Sequence, residues 1–467
     1  MGFSWSILLD LGIVSLALLV ATLIRSQVYF FQKYLIPNSI TAGFLLLPFY
    51  NYVGPLIGLS SEGLGNLVFH LLNLSFIAMS LRTRRVKTSG KGIFSMVVAI
   101  ISQYSLQSLV GIGVTFLFIA TIIPTLFPSF GLLITLGFAL GPGQAFSIGT
   151  SWEKFGFSGG GSVGLTFAAI GFLWACFGGI FLINRAIRKN RIENDIRKKN
   201  EHATKNDKID EQRQSWQGSE IPTGAIDPLT YNLAYVLGIY LVTFLVMKLL
   251  TSALSLAGNM GKDLAEGLWA ITFIFAAMIA VMIKKILWRV GIASTIYNQR
   301  LNRIAGTSVD IMVTASIAAI SIVALAQYWL PIIVLAILGG IATILTVLWL
   351  SSRMFRDHIF QRTILIYGAM TGTLPTGLAL LRVIDPELES PASSDYMYAV
   401  GIVFIFALPF IFSMHFPAYG YTTGRFFYYW ITFLVYLFYM IFVLIAFRLI
   451  TGKGAFRKAG KIWRESQ

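Results

Sequence analysis

Residues 129–157 read SFGLLITLGFALGPGQAFSIGTSWEKFGF, and residues 363–386 read TILIYGAMTGTLPTGLALLRVIDP. Both stretches are apolar enough for hydrocarbon, yet each is interrupted in the middle. Gly141, Pro142 and Gly143 break the first; Gly372, Pro375 and Gly377 break the second. Proline lacks the amide hydrogen that continues a helix and glycine leaves the helix readily, so each stretch divides into pieces of about a dozen residues, or roughly 18 Å. A helix needs about 20 residues to cross a bilayer. Each stretch is therefore expected to be a re-entrant hairpin that enters the membrane, turns near its middle and leaves on the side it entered. The alternative is two kinked but complete spans. That reading would put the basic linker and the basic loop at 353–362 on opposite sides of the membrane.

Composition sets the same scene. Of 467 residues, 56% are apolar and 12% charged, and the mean hydropathy is +0.74. Soluble domains carry about 25% charged residues to cover their surface, so most of this surface faces lipid. The net charge of +16 sits in short basic tracts between apolar runs, as in the cytoplasmic loops of multispanning proteins. The single cysteine, Cys176, excludes an intramolecular disulfide and a multi-cysteine metal cluster.

Eleven apolar runs have the length of spans: 3–24, 37–55, 63–81, 92–123, 161–184, 229–252, 264–284, 306–328, 331–352, 395–415 and 426–449. The first is too long for a secretory signal and lacks its basic flank and cleavage site, so it reads as a retained span. If spans alternate, the basic tracts share one side. They include Arg82 to Lys91, Arg185 to Arg191, Lys284 to Arg303, Arg353 to Arg362 and Lys453 to Arg464. The positive-inside rule makes that side cytoplasmic, with the N-terminus outside and the C-terminus inside.

Residues 188–228 are hydrophilic, of mixed charge, and end in Pro222, Gly224 and Pro228, the composition of a cytoplasmic linker. It separates a first membrane repeat, 1–187, from a second, 229–415; residues 416–467 add an extra span and a basic tail. The expected fold is an all-α polytopic membrane protein with two inverted five-span repeats, each holding one hairpin, because the halves begin on opposite sides.

The use of the two tips follows from backbone chemistry. A half-helix starting at Gln144, and another at Pro375, would present amide N–H groups without partners and a positive dipole end. In hydrocarbon such donors are expensive unless an anion meets them. The candidate substrate-binding residues are Gly141, Gly143, Gln144, Ser147, Gly372, Thr373, Pro375 and Thr376, with Thr371 beside them.

These segments carry a resemblance. LGPGQAFSIGTSWEKFGF, with the span GSVGLTFAAIGFLWACFGGIFLINRAI after it, resembles the Gly-rich loop, Trp-containing short helix and following span of the bacterial sodium/glutamate symporters. MTGTLPTGLALLRVIDP is similar to the second loop of that family, with Gly372, Pro375 and Thr376 in its Gly-x-x-Pro-Thr core. YLIPNSITAGFLLLP resembles the entry to the family's second span, with Ile36, Pro37 and Gly43 in place. The resemblance implies a homodimer in the cell's inner membrane that imports glutamate with sodium, by an elevator-like movement of the hairpin-bearing part. The first tip departs from the family's Gly-Gly-His-Gly-Thr-Gly pattern: it has no histidine and an added Phe146. A related organic anion therefore stands as an alternative substrate, and a scaffold that lost transport as a second alternative.

Sodium takes oxygen ligands, and a carboxylate in hydrocarbon is costly unless paired or coordinated. Asp310, with Thr314 one turn on, leads the candidates for the sodium site, and Asn73 and Ser75 supply oxygens on the matching third span. An Asp at a helix start, and helix–helix hydrogen bonding by Asn73 and Ser75, are the plainer accounts. His70 is a weaker candidate for a proton relay. Arg382 either meets a substrate carboxylate or extends to the membrane surface. Neither a Gly-x-x-x-x-Gly-Lys-Ser/Thr loop nor a His-Glu-x-x-His pair occurs, so the chain reads as no enzyme, with no cofactor beyond a coupling sodium ion.

Overall fold

The computed structural model describes residues 6–34, 36–82, 90–188, 226–256, 265, 268–291, 296–385, 390–452 and 460–463. Nearly all of the expected linker, the basic residues of 83–89 and most of the basic tail lie outside the described residues.

The regular structure among the described residues is helical throughout. Nine helices there are long and apolar enough to cross a membrane. The elements used below are α1 (Ser6–Gln27), α2 (Asn38–Pro48), α3 (Ser61–Leu81), α4 (Gly90–Thr121), α5 (Leu132–Thr135), α6 (Pro142–Ser151), α7 (Gly160–Leu173) and α8 (Gly179–Arg188). After the linker come α9 (Pro228–Ser255), α10 (Thr272–Arg289), α11 (Asn298–Ala318), α12 (Trp329–Met354), α13 (Ile359–Thr371), α14 (Leu374–Ile384), α15 (Ala392–Ser413) and α16 (Phe427–Thr451).

Local chemistry starts several of them. Asp227 caps α9: its Oδ2 accepts the Thr230 N–H at 2.9 Å, and Pro228 occupies the first turn, where no amide hydrogen is needed. That backbone bond holds the Asp227 carboxyl below the usual carboxylate range. Elsewhere the helix limits differ from the apolar runs. The eighth run, 306–328, appears as α11 starting at Asn298 and ending at Ala318. Hydropathy marks what hydrocarbon accepts, whereas a helix continues for as long as its backbone bonds are met, so the polar turns at Asn298–Arg303 remain helical. The stop at 319–321 is held from outside. Asn51 Nδ2 donates to the Ile320 carbonyl at 2.9 Å, Ile322 N–H donates to Asn51 Oδ1 at 3.0 Å, and Ser321 N–H donates to Ser162 Oγ at 2.6 Å.

The halves pack in a reciprocal way. α2 lies on α11 as α10 lies on α3, α1 lies on α2 as α9 lies on α10, and α3 meets α11 at the centre. A second group is built on the crossing of α4 and α12, with α13, α15 and α7 around it. The extra span α16 joins this second group. One face is buried against α4 and α15, with Tyr436 and Phe447 fully enclosed, while Trp430, Leu434, Phe438 and Leu449 remain exposed. Its tail returns to the same group, where the Lys461 carbonyl accepts from Arg353 at 2.7 Å.

Arg362, read in the sequence as a loop charge, is buried. Its guanidinium donates to Asp395 Oδ2 at 2.7 Å and to Asp357 Oδ2 at 3.1 Å, with Asp395 itself 0% exposed. Hydropathy cannot distinguish an arginine that faces water from one that folds back onto a carboxylate of α15.

Candidate functional site

The segment 129–157 is not one continuous helix. α5 runs into a π-turn at Leu136–Leu140, closed by the Gly141 N–H on the Leu136 carbonyl at 2.8 Å. At Gly141 the backbone turns to φ +103°, a conformation that favours glycine, and α6 begins at Pro142. The half-helix thus starts two residues before Gln144, because proline at the first position loses no bond and has its φ already set. The two ends of the segment lie together: the Phe127 ring stacks on Phe157 at 4.8 Å, and Phe130 lies 5.6 Å from Phe157.

Residues 359–384 fold back in a comparable way. α13 ends at Gly372, whose N–H reaches the Gly368 carbonyl at 3.0 Å, and α14 starts behind Thr373. The arms touch closely, since a Cβ built on Gly377 would stand 2.6 Å from the Leu365 carbonyl oxygen.

The two breaks meet. A Cβ built on Gly141 would lie 3.1 Å from Thr373 Cγ2 and 3.6 Å from Gln144 Oε1. Ala145 N–H on the Gly141 carbonyl is the first backbone bond of α6, and Gly377 N–H on the Thr373 carbonyl is the first of α14. Among the described residues no hydrogen bond reaches the N–H groups of Gly143, Gln144, Leu374 or Thr376. Two helix N-termini with free donors therefore converge, and each brings the positive end of its dipole. The Gln144 side chain is 3% exposed and makes no hydrogen bond to the described residues. Thr373 and Thr376 hydroxyls lie 3.2 Å apart. This surface offers several donors to a group that accepts hydrogen bonds.

The other expected residues take varied places. Gly143 is buried against Leu72, where a Cβ would come within 2.6 Å of Cδ1. Ser147 donates to the Ala270 carbonyl at 2.6 Å, which ties α6 to the second half. Pro375 is exposed, and Gly372 lies beside Phe172. Thr314 Oγ1 donates to the Ser39 carbonyl, 3.1 Å, and the Asp310 carbonyl, 3.0 Å. The Asp310 residue is exposed beside Ser39, in the first turn of α2. Asn73 is fully buried; its Nδ2 donates to the Phe69 carbonyl at 2.8 Å, and its Oδ1 has no partner among the described residues. Ser75 donates to the Leu72 carbonyl at 2.8 Å. His70 Nδ1 and Tyr240 OH are 2.6 Å apart, and Arg382 is exposed. Asp10, buried and accepting from Tyr50 OH at 2.6 Å, escaped the sequence reading because a single acid in the first span has no helical companion to mark it.

Phe146, the unexpected residue of the first tip, faces away from the converging ends. Its ring occupies a slot between Gly65 of α3 and Gly161 of α7; a Cβ on Gly161 would come 3.1 Å from the ring and one on Gly65 would collide with it. Phe146→Ala would empty the slot of a half-buried ring, and unfolding free energy should fall by about 2 kcal/mol, less than for a fully enclosed phenylalanine. Thermal denaturation reads this, and an unchanged midpoint would show that the slot contributes nothing.

The open groove between α9 and α10, lined by Tyr231, Tyr235, Gly238 and Ile283, lies away from the breaks and carries no cationic side chain. A family model described as sodium/glutamate symporter matches residues 3–358, ending just before α13. No curated protein and no solved structure matches the chain.

Proposed function

Because this chain belongs to the sodium/glutamate symporter family, we propose that it carries glutamate or a closely related small anion across the cell membrane with sodium, holding it between the tips of two re-entrant hairpins. The observation that carries this reading is the meeting of Gly141 and Thr373, with four amide donors and the Gln144 amide left without partners among the described residues. A carboxylate accepts several such bonds at once, and charge-assisted bonds are roughly twice as strong as neutral ones. No basic side chain is needed at the tips, since two dipole ends each carry about half a charge.

The hairpins contribute unequally. α6 packs on α3 and α11, whereas α14 rests mainly on α13 and on the span from Trp174 to Arg188, and exposes Pro375. The binding place is thus closed on the side of the first hairpin and open on the side of the second. With the basic loops inside, the open side is cytoplasmic, and the state is inward-facing. Alternating access then moves the group built on α4 and α12 against the group built on α3 and α11, within each subunit of a homodimer. Gly143 against Leu72 and Phe146 against Gly65 are surfaces that must separate in that motion. Residues 1–187 and 229–415 act as the inverted repeats, and α16 travels with the hairpin-bearing group.

Proteoliposomes loaded with potassium and given labelled glutamate should accumulate it when sodium is outside and not when choline replaces it. Competition by other small dicarboxylates ranks the substrates. Accumulation of another anion but not glutamate would redirect the specificity; no gradient-driven accumulation of any would favour the scaffold.

A further inference from the structure

We propose that Gln107 supplies an oxygen ligand to the coupling sodium ion beside the second break; this rests on the symport reading above. Gln107 lies in α4 where it crosses α12, and its side chain is fully enclosed. Nε2 donates to Thr343 Oγ1 at 2.9 Å and to the Met370 carbonyl at 2.9 Å. Both amide hydrogens are thereby used, and the orientation is settled: the flipped amide would set Oε1 against the Met370 oxygen. Oε1 is left without a donor among the described residues. A buried acceptor in that condition is unfavourable, so a positive partner there is favoured.

The surroundings select its kind. Met370 belongs to the last turn of α13, where the helix ends at Gly372 and the final carbonyls carry the negative end of the dipole. Thr343 Oγ1 adds a neutral oxygen, and no carboxylate takes part in the bonds that join Gln107, Thr343 and Met370. Amide, hydroxyl and carbonyl oxygens without a carboxylate suit a hard monovalent cation, since calcium and magnesium sites draw on carboxylates. Half-helix C-terminal ends hold sodium in transporters with broken helices. The break at Gly372 then has a cation at the α13 end and an anion at the α14 end, so each bound charge favours the other, which is coupling in its thermodynamic sense.

The test is thermal denaturation of the purified full chain without substrate, in sodium chloride or choline chloride at equal ionic strength. Sodium should raise the wild-type midpoint. In Gln107→Leu the sodium concentration giving half of that rise should increase about tenfold or more, while Gly113→Ala on the same helix, where nothing lies within 4 Å of the added Cβ, should retain the wild-type response. An unaltered response in Gln107→Leu, or an equal loss in both variants, overturns the assignment. Should Gln107→Leu fail to fold, Gln107→Met, which keeps the length and removes the oxygen, decides: the half-effective sodium concentration should again rise about tenfold, and an unchanged value counts against the site. Sodium stabilisation without glutamate uptake would leave the ion site standing and sink the substrate reading. Absence of sodium stabilisation in the wild type sinks the ion site whatever uptake shows.

Discussion

Gly141→Val should bring sodium-driven glutamate uptake down to the level of empty vesicles while the protein still folds. At φ +103° a β-branched residue is strained by about 1–3 kcal/mol. Its Cβ would stand 3.1 Å from Thr373 Cγ2, tighter than ordinary contact, and the branch methyls would reach further. The backbone can relieve this only by separating the tips. A displacement of about 1 Å at a binding site can cost roughly a hundredfold in rate. Gly113→Ala on α4, where nothing lies within 4 Å of the added Cβ, is the control and should transport normally. Wild-type uptake by Gly141→Val would show that the tips do not hold the substrate.

The second large effect is on stability. Arg362→Leu should lower the unfolding free energy by about 3–5 kcal/mol, because it leaves Asp395 charged in a place with no exposure. Asp395 Oδ1 already lacks a partner among the described residues, so none of these compensates. The pair also joins the first turn of α13 to the start of α15, and Gly92 at the start of α4 is pressed against the same carboxylate. Its loss should therefore loosen the start of α13. The double variant Arg362→Leu with Asp395→Leu should recover much of the loss, since two apolar groups of similar volume replace a desolvated pair. Denaturation midpoints of the single and double variants measure it. Equal midpoints in wild type and Arg362→Leu would mean that the ion pair contributes nothing net.

How far the fold and the site were legible depended on how local the cause was. The breaks at Gly141 and Gly372 are set by residues that cannot continue a helix, and this holds whatever lies around them. The positions of most spans follow likewise from runs that only hydrocarbon tolerates. The start of α6 at Pro142 rather than Gln144 was missed because a proline was read as a breaker when its place at a first turn makes it an initiator. Arg362 and Asp310 show a different limit. Both are charges near span ends, yet one is enclosed by a carboxylate 33 residues away and the other is exposed beside Ser39 of α2. Phe146 looked like an intrusion at the tip, and its destination between Gly65 and Gly161 depends on two glycines far from it in sequence.

By itself the sequence determined that the chain is membrane-embedded and helical, and that two of its apolar stretches are interrupted, since composition and helix-breaking residues act within a few positions. Only the tertiary structure decided that those breaks face each other, which amide groups find no partner among the described residues, and where Gln107 directs its oxygen. Those outcomes are differences between competing hydrogen bonds and packing contacts across the two halves, and no single stretch of chain contains both partners.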